Sequence, residues 1–331
     1  MSGQQISLSG VNMNFISLLQ NLITYLFEAS VLALVTFGIV IIFRTSFTTN
    51  FAQGMIASTA AYITTFAFHE WINKGFSSLD PLLKTTFAFI PGILSGFIFG
   101  ILIDKLLIRR AKYTTILTKQ MITMGIVLFL TGLLPTLFAS YEQSATGMPS
   151  FPRFSREVLR VSLGNGVIRL QVQHIYSVSI AVIVITGVFL ALKFTKWGLG
   201  VRATAANELV SGMMGINTRK ITALSWGVAA ALGSIGGLLF AAYQTVSVSM
   251  MVTMQVTGFL AAVLGGFSSF IGPVIGAIII PLLVYASYQI TGIVGGDSLR
   301  VYDRVFVYLI ILIIILIKPV GLFGKKIAKK V

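Results

Sequence analysis

Long uncharged runs separated by short basic clusters dominate the chain, and their lengths predict helices that cross a membrane. A bilayer core of about 30 Å needs roughly 20 apolar residues of helix. Residues 14–43 carry a single charge, Glu28, while residues 85–103, 120–141 and 175–192 carry none. Each run predicts one helix. Residues 54–68 form a shorter run that completes its crossing through His69, Glu70 and Trp71, where an amphipathic ring and polar groups meet the interface.

From residue 221 to 296 there are 76 consecutive positions without Asp, Glu, Lys or Arg, which suits about three crossings. Two breaks divide the run. One is the polar, β-branched QTVSVS at residues 244–249, and the other is GGFSSFIGP at residues 265–273, whose proline cannot donate an amide hydrogen bond. A last apolar run, residues 305–317, is flanked by Tyr302, Asp303, Arg304 and Lys318, which can reach the interfaces and lengthen it. The expected fold is an all-α polytopic membrane protein of about eight or nine transmembrane helices with re-entrant or broken segments, one transmembrane domain over residues 1–331.

Composition excludes the soluble alternatives. Of the 331 residues 56% are apolar and 10% charged, and the mean hydropathy is +0.93. The net charge of +15 then reads as membrane topology and not as nucleic-acid binding. Lys105, Arg109, Arg110, Lys112 and Lys119 are followed two crossings later by Lys193, Lys196, Arg202, Arg219 and Lys220, and Lys318, Lys325, Lys326, Lys329 and Lys330 close the chain. These fifteen cations mark one face as cytoplasmic, with residues 194–220 a cytoplasmic loop and residues 142–173 an external one. No Lys or Arg precedes Arg44, so the first segment is expected to remain in the mature protein.

Few residues at membrane depth can carry chemistry. Glu28 is the one carboxylate well inside an apolar run; it is either a proton or ammonium site or a helix-break carboxyl bonded to a neighbouring helix. His69 and His174 fall at span ends, where isolated histidines are expected to be solvated. No Ser-His-Asp set, carboxylate pair or HExxH arrangement can be assembled, cysteine is absent, and no phosphate loop ending in Gly-Lys-Ser/Thr occurs. Irregular backbone at membrane depth tends to line a cavity. The hydroxyl- and amide-rich RTSFTTNFAQG of residues 44–54 and the GGFSSFIGP break are paired interruptions in two halves of the chain, which point to a translocation path. Its candidate residues are Glu28, Thr49, Asn50, Gln53, Gly265, Gly266 and Ser268.

Between Lys193 and Lys220, Val201, Ala205, Leu209 and Met213 recur every four residues and Gly215 stops the run, predicting a short amphipathic helix. It is too short to span, so it lies on the bilayer surface or sits in a partner's groove. RATAANELVSGMMGIN and the following TRKITALSWGVAAALGSIGGLLFA resemble the cytoplasmic loop and next helix of permease subunits of branched-chain amino acid ABC importers, the LivH and LivM type. FLAAVLGGFSSFIGPVIGAII, the closing IKPVGLFG and NFAQG at residues 50–54 resemble three further segments of that family, with Gln53 where its NFAHG has histidine and Phe267 or Ser268 in place of one glycine. Order and spacing agree from Thr36 to Gly324, and NFAQG places the chain nearer to LivH.

The resemblance implies an importer half in a bacterial cytoplasmic membrane, paired with a second homologous permease, two ATPase subunits and an extracytoplasmic solute-binding protein. Carried over by position, Ala206, Asn207, Glu208, Gly212, Gly215 and Ile216 form the coupling helix. The chain would hold no cofactor, metal or catalytic residue of its own, ATP being bound by the partners. Branched-chain amino acids are the first solute; urea or amides, nucleosides and simple sugars use similar permeases. A proton-coupled secondary transporter is the rival class, and Glu28 is its only good relay.

Overall fold

The structure, a computed structural model, describes residues 15–75, 78–111, 115–138, 152–154, 157–163, 166–295 and 297–324. Lys112, Lys325, Lys326, Lys329 and Lys330 lie outside them, as does much of the predicted external loop.

The chain winds around its first helix. α1 (Phe15–Ser46) is apolar on every face, and from Val31 to Ile42 almost every side chain is fully enclosed; a helix hydrophobic all round belongs in the centre of a bundle. α2 (Gln53–Ala67) continues through a π-helical turn at Phe68–Ile72, and α3 (Pro81–Leu102) through another at Ile103–Ile108. α4 (Ile116–Leu137) follows, then α5 (Val172–Phe194), the short α6 (Lys196–Ala206) and α7 (Glu208–Met213), α8 (Thr218–Ala241), α9 (Val252–Gly265), α10 (Ile271–Gly295) and α11 (Asp303–Ile317). α5, α8, α9 and α10 wrap α1, and α8 in turn packs on α2 and α3. Among the described residues six helices, α1, α3, α4, α5, α8 and α10, are long and apolar enough to cross a membrane.

Local chemistry sets the helix starts. Asp80 accepts the Leu82 amide at 2.8 Å ahead of Pro81, whose missing N–H is harmless in a first turn. Thr115, Thr195 and Asn217 cap α4, α6 and α8 in the same way. The described part of the 142–173 segment departs from the all-helical expectation: β1 (Val158–Leu163) and β2 (Gly166–Gln171) form an antiparallel hairpin, Arg160 opposite Arg169.

Three apolar helices are short. α2, α9 and α11 have 15, 14 and 15 residues, only about 21–23 Å of helix at 1.5 Å per residue. For α2 and α9 the reason is re-entry. After α1 ends, Phe47 takes a left-handed φ of 49° and the chain doubles back, so that Gln53 reaches Ala229 in the middle of α8. After α8 ends, residues 242–251 fold inward and α9 begins at the same depth, with Gln255 against Gly54. Two half-helices therefore meet by their N-termini inside the bundle.

Gly92, Gly96 and Gly100 recur every four residues on α3 and face α2 and α8, a contact between small residues that counting charges does not find. A Cβ at Gly100 would strike the Trp226 carbonyl and stand 2.8 Å from Ala230 Cβ. Gly100→Leu is therefore expected to destabilise the fold by about 3 kcal/mol through overpacking. Gly132→Leu on α4, where an added Cβ meets nothing within 4 Å, should be neutral. Thermal stability of the two solubilised variants decides; equal melting would remove the α3–α8 contact from the account.

Candidate translocation site

The two half-helices enclose an open cavity of about 700 Å³. Its walls are apolar: Phe51 and Met55 from the α2 side, Met124 and Val127 from α4, and Val252, Val256 and Phe259 from α9. Polar character comes from Thr49, Gln120 and Gln255, and no formal charge stands among the described residues of the lining. Each half-helix also brings the positive end of its dipole toward the same place.

Hydrogen bonds fix this geometry. Gln255 Oε1 accepts the Gly54 amide at 2.6 Å, and its Nε2 donates to the Phe51 carbonyl, so one side chain ties α9 to the entry of α2. Gln120 Nε2 donates to Thr49 Oγ1 at 2.8 Å, and the Phe51 amide donates to Thr123 Oγ1 at 3.3 Å, which attach the re-entrant turn to α4. Behind the turn, Asn50 Oδ1 accepts from the Ala52 amide at 3.0 Å, Asn50 Nδ2 donates to Gln53 Oε1 at 3.1 Å, and Gln53 Nε2 donates to the Ala229 carbonyl at 2.6 Å. Asn50 and Gln53 are fully buried. They hold the turn in place, away from the cavity surface.

The other sequence candidates lie elsewhere. Gly265 and Gly266 form a socket for the end of the chain: Leu322 and Phe323 donate their amides to the carbonyls of Leu264 at 2.7 Å and Gly265 at 3.2 Å, and the φ of 93° at Gly266 suits only glycine comfortably. Ser268 lines a second cavity, of about 790 Å³, next to Arg44, Ala205 and Ala206. Glu28 borders a gap of about 30 Å³ shared with Thr253, Thr257, Arg304 and Tyr308, off the main cavity. Of the seven candidates, only Thr49 lines the space between the half-helices. Gln120 and Gln255 were missed, although Gln255 is the one amide side chain in the apolar stretch from 250 to 264.

His174 is also unlike its expectation. It is buried, and its ring closes a three-ring cluster with Phe27 at 4.8 Å and Tyr243 at 4.5 Å, themselves 4.2 Å apart, a tether from α5 to α1 and the residues after α8. His69 packs edge-on against Phe68.

At the opposite end from His174, the predicted amphipathic helix is two helices. Asn207 adopts extended backbone, φ −163° and ψ 110°, and its side chain accepts the Val210 amide at 3.1 Å, starting a new helix. The four-residue stripe is therefore split. Val201 is fully buried, whereas Leu209 is 78% and Met213 85% exposed, with Met214 at 78%. Gly215 ends α7 with a φ of 83°, as its place in the sequence predicted. Gly212 and Glu208 are exposed on the same short helix, and Ala206 lines the second cavity.

Asp104, buried in the π-helical turn after α3, pairs with Arg109, which also donates to the Arg219 carbonyl at the start of α8. Lys119 Nζ bonds the Ser46 carbonyl at 3.1 Å. The described cations of the three basic clusters thus gather at one end of the bundle with α6, α7 and the tail.

The model of a family described as branched-chain amino acid transport system / permease component matches residues 21–316. The chain is 26% identical, over 95% of its length and 98% of the relative's, to the high-affinity branched-chain amino acid transport system permease protein BraD of Pseudomonas aeruginosa. It is 23% identical, over 89% of each chain, to the probable branched-chain amino acid transport permease protein LivH of Methanocaldococcus jannaschii. A third relative, the inner membrane ABC transporter permease protein YjfF of Escherichia coli, is 26% identical over 60% of this chain. No solved structure matches. With nine-tenths of its length inside that family model and a helical bundle built to cross a bilayer, the chain belongs to the branched-chain amino acid transport permease family and is a multi-pass membrane protein.

Proposed function

We propose that the chain is the membrane-spanning half of an ATP-driven importer, with branched-chain amino acids as solute. The observation that carries the reading is α7: a six-residue helix whose Leu209 and Met213, with Met214 just after it, stand almost bare at the basic end of the bundle. Apolar side chains so exposed need a cover, and the ATPase subunits of the importer supply it. The basic end is the cytoplasmic one, and residues 194–220 are the coupling loop, with Ala206, Asn207, Glu208, Gly212, Gly215 and Ile216 facing or shaping the ATPase groove. Two ATPases, a second homologous permease and an external binding protein complete the assembly.

The cavity supports the solute. Valine, phenylalanine and methionine walls match a branched aliphatic side chain, while Thr49, Gln120, Gln255 and the two half-helix N-termini offer dipoles to the ammonium and carboxylate. Motion of α7 on ATP binding would be felt at α6 and α8, which flank it, and through the Gln53–Ala229 bond at the re-entrant turn beside the cavity.

A proton-coupled carrier is less favoured because Glu28 does not reach the cavity. The test is uptake of radiolabelled leucine by proteoliposomes holding the complex and its binding protein. Uptake should require enclosed ATP and be indifferent to an imposed proton or sodium gradient; gradient-driven uptake without ATP overturns the proposal.

A further inference from the structure

The second cavity contains chemistry that the translocation path does not use. Its volume of about 790 Å³ falls in the ligand-holding range of roughly 300–1,000 Å³. It lies at the basic end, bounded by the end of α1, by Ala205 and Ala206 of α6, and by Pro319 and Val320 of the tail. Arg44 is the one charged side chain among the described residues that line it.

Arg44 is held ready for an anion. Its Nη1 donates to the Ser268 carbonyl, and its guanidinium lies 4.7 Å from the centre of the Phe270 ring. These contacts fix the plane of the group while using few of its five N–H donors. Nε is enclosed and has no partner among the described residues. No carboxylate lines the cavity to neutralise it. A planar cation with no counter-charge in a mostly apolar recess recognises a carboxylate by charge-assisted hydrogen bonds.

The two cavities are neighbours. Val263 and Phe267 line both, and the Phe267 ring packs on Phe43 at 4.3 Å between centroids. A solute leaving the space between the half-helices meets this pair first and Arg44 next.

We infer that the cavity is a second solute site, in which Arg44 holds the carboxylate of an amino acid that has passed the Phe43–Phe267 pair, beside the coupling loop. This rests on the proposed function for the amino acid, though not for the anion.

Because the chain has no cysteine, Val320→Cys places a single thiol on the cavity wall. Its rate of modification by a small maleimide is measured in the full-length, gently solubilised protein. Leucine and its keto acid, 4-methyl-2-oxopentanoate, should each slow the reaction about tenfold at ten times Kd, following 1 + [L]/Kd. Isopentylamine, which lacks the carboxylate, should not. Arg44→Gln should abolish protection and Arg44→Lys keep part of it. Protection unchanged in Arg44→Gln, or equal protection by isopentylamine, overturns the site. So does a complex that imports leucine normally and shows no protection. Protection by both carboxylates in a protein that imports no leucine sustains the site and overturns the solute assignment instead.

Discussion

Gly212→Arg is expected to abolish ATP-driven uptake while the amount of protein in the membrane stays normal. Gly212 lies on α7 between the exposed Leu209 and Met213, and an added Cβ would meet no atom within 4 Å. Nothing in the chain itself opposes the substitution. An ATPase groove fitted to that apolar surface would have to enclose an unpaired guanidinium, at about 3 kcal/mol or more, roughly a hundredfold in association. Were α7 resting on lipid instead, the added charge would strengthen its attraction to an anionic surface by about 1 kcal/mol and leave transport intact. The two situations predict opposite signs. The measurement is ATPase retained on the purified variant, alongside leucine uptake; a variant that keeps its ATPase and transports at the wild-type rate removes α7 from the coupling path.

The apolar helices were legible because lipid imposes a simple condition: a helix long enough to span must be free of charge for that length. The nine segments read from uncharged runs all appear as helices. Depth was not legible. α2 has the composition of any apolar helix, and its start inside the bundle depends on Gln53 finding the Ala229 carbonyl, a partner 176 residues away. The turn at residues 44–54 announced itself through its amides and hydroxyls, yet that polarity served two purposes. Thr49 faces the cavity, while Asn50 and Gln53 satisfy buried backbone behind it.

Periodicity misled at α6 and α7 for a local reason. A spacing of four along residues 201–213 is one face only if the helix is continuous, and Asn207 interrupts it by capping the Val210 amide. The Ala-Ala-Asn-Glu sequence carries that signal, since asparagine followed by an acidic residue is a common helix start. The hairpin at Val158–Leu163 and Gly166–Gln171 escaped because an aqueous loop is free of the rule that made the spans readable. The glycine repeat of α3 was present in the sequence but is meaningful only once α8 is known to lie against it.

Gln255→Leu should produce the second large loss. Leucine is close to glutamine in volume and suits the apolar lining, so packing is nearly unchanged. What disappears is the bridge: the Gly54 amide and the Phe51 carbonyl lose their side-chain partner at the mouth of α2. Each buried group left unsatisfied costs about 1–3 kcal/mol, so the half-helix junction weakens by roughly 2–6 kcal/mol. Opposed helix N-termini that the carboxamide oxygen no longer joins also repel through their positive ends. Uptake should fall to background and the melting temperature drop. Thr49→Val is the companion variant, since it leaves the bridge intact and removes only a cavity hydroxyl that accepts from Gln120. It should lower the melting temperature by much less than Gln255→Leu does, since one bond to α4 is lost while the Phe51–Thr123 bond remains, and raise KM for leucine with little change in kcat. If Gln255→Leu transports normally, the meeting point of the half-helices is not on the solute's route; if Thr49→Val lowers thermal stability as much as Gln255→Leu does, the hydroxyl is part of the scaffold and not of the binding surface.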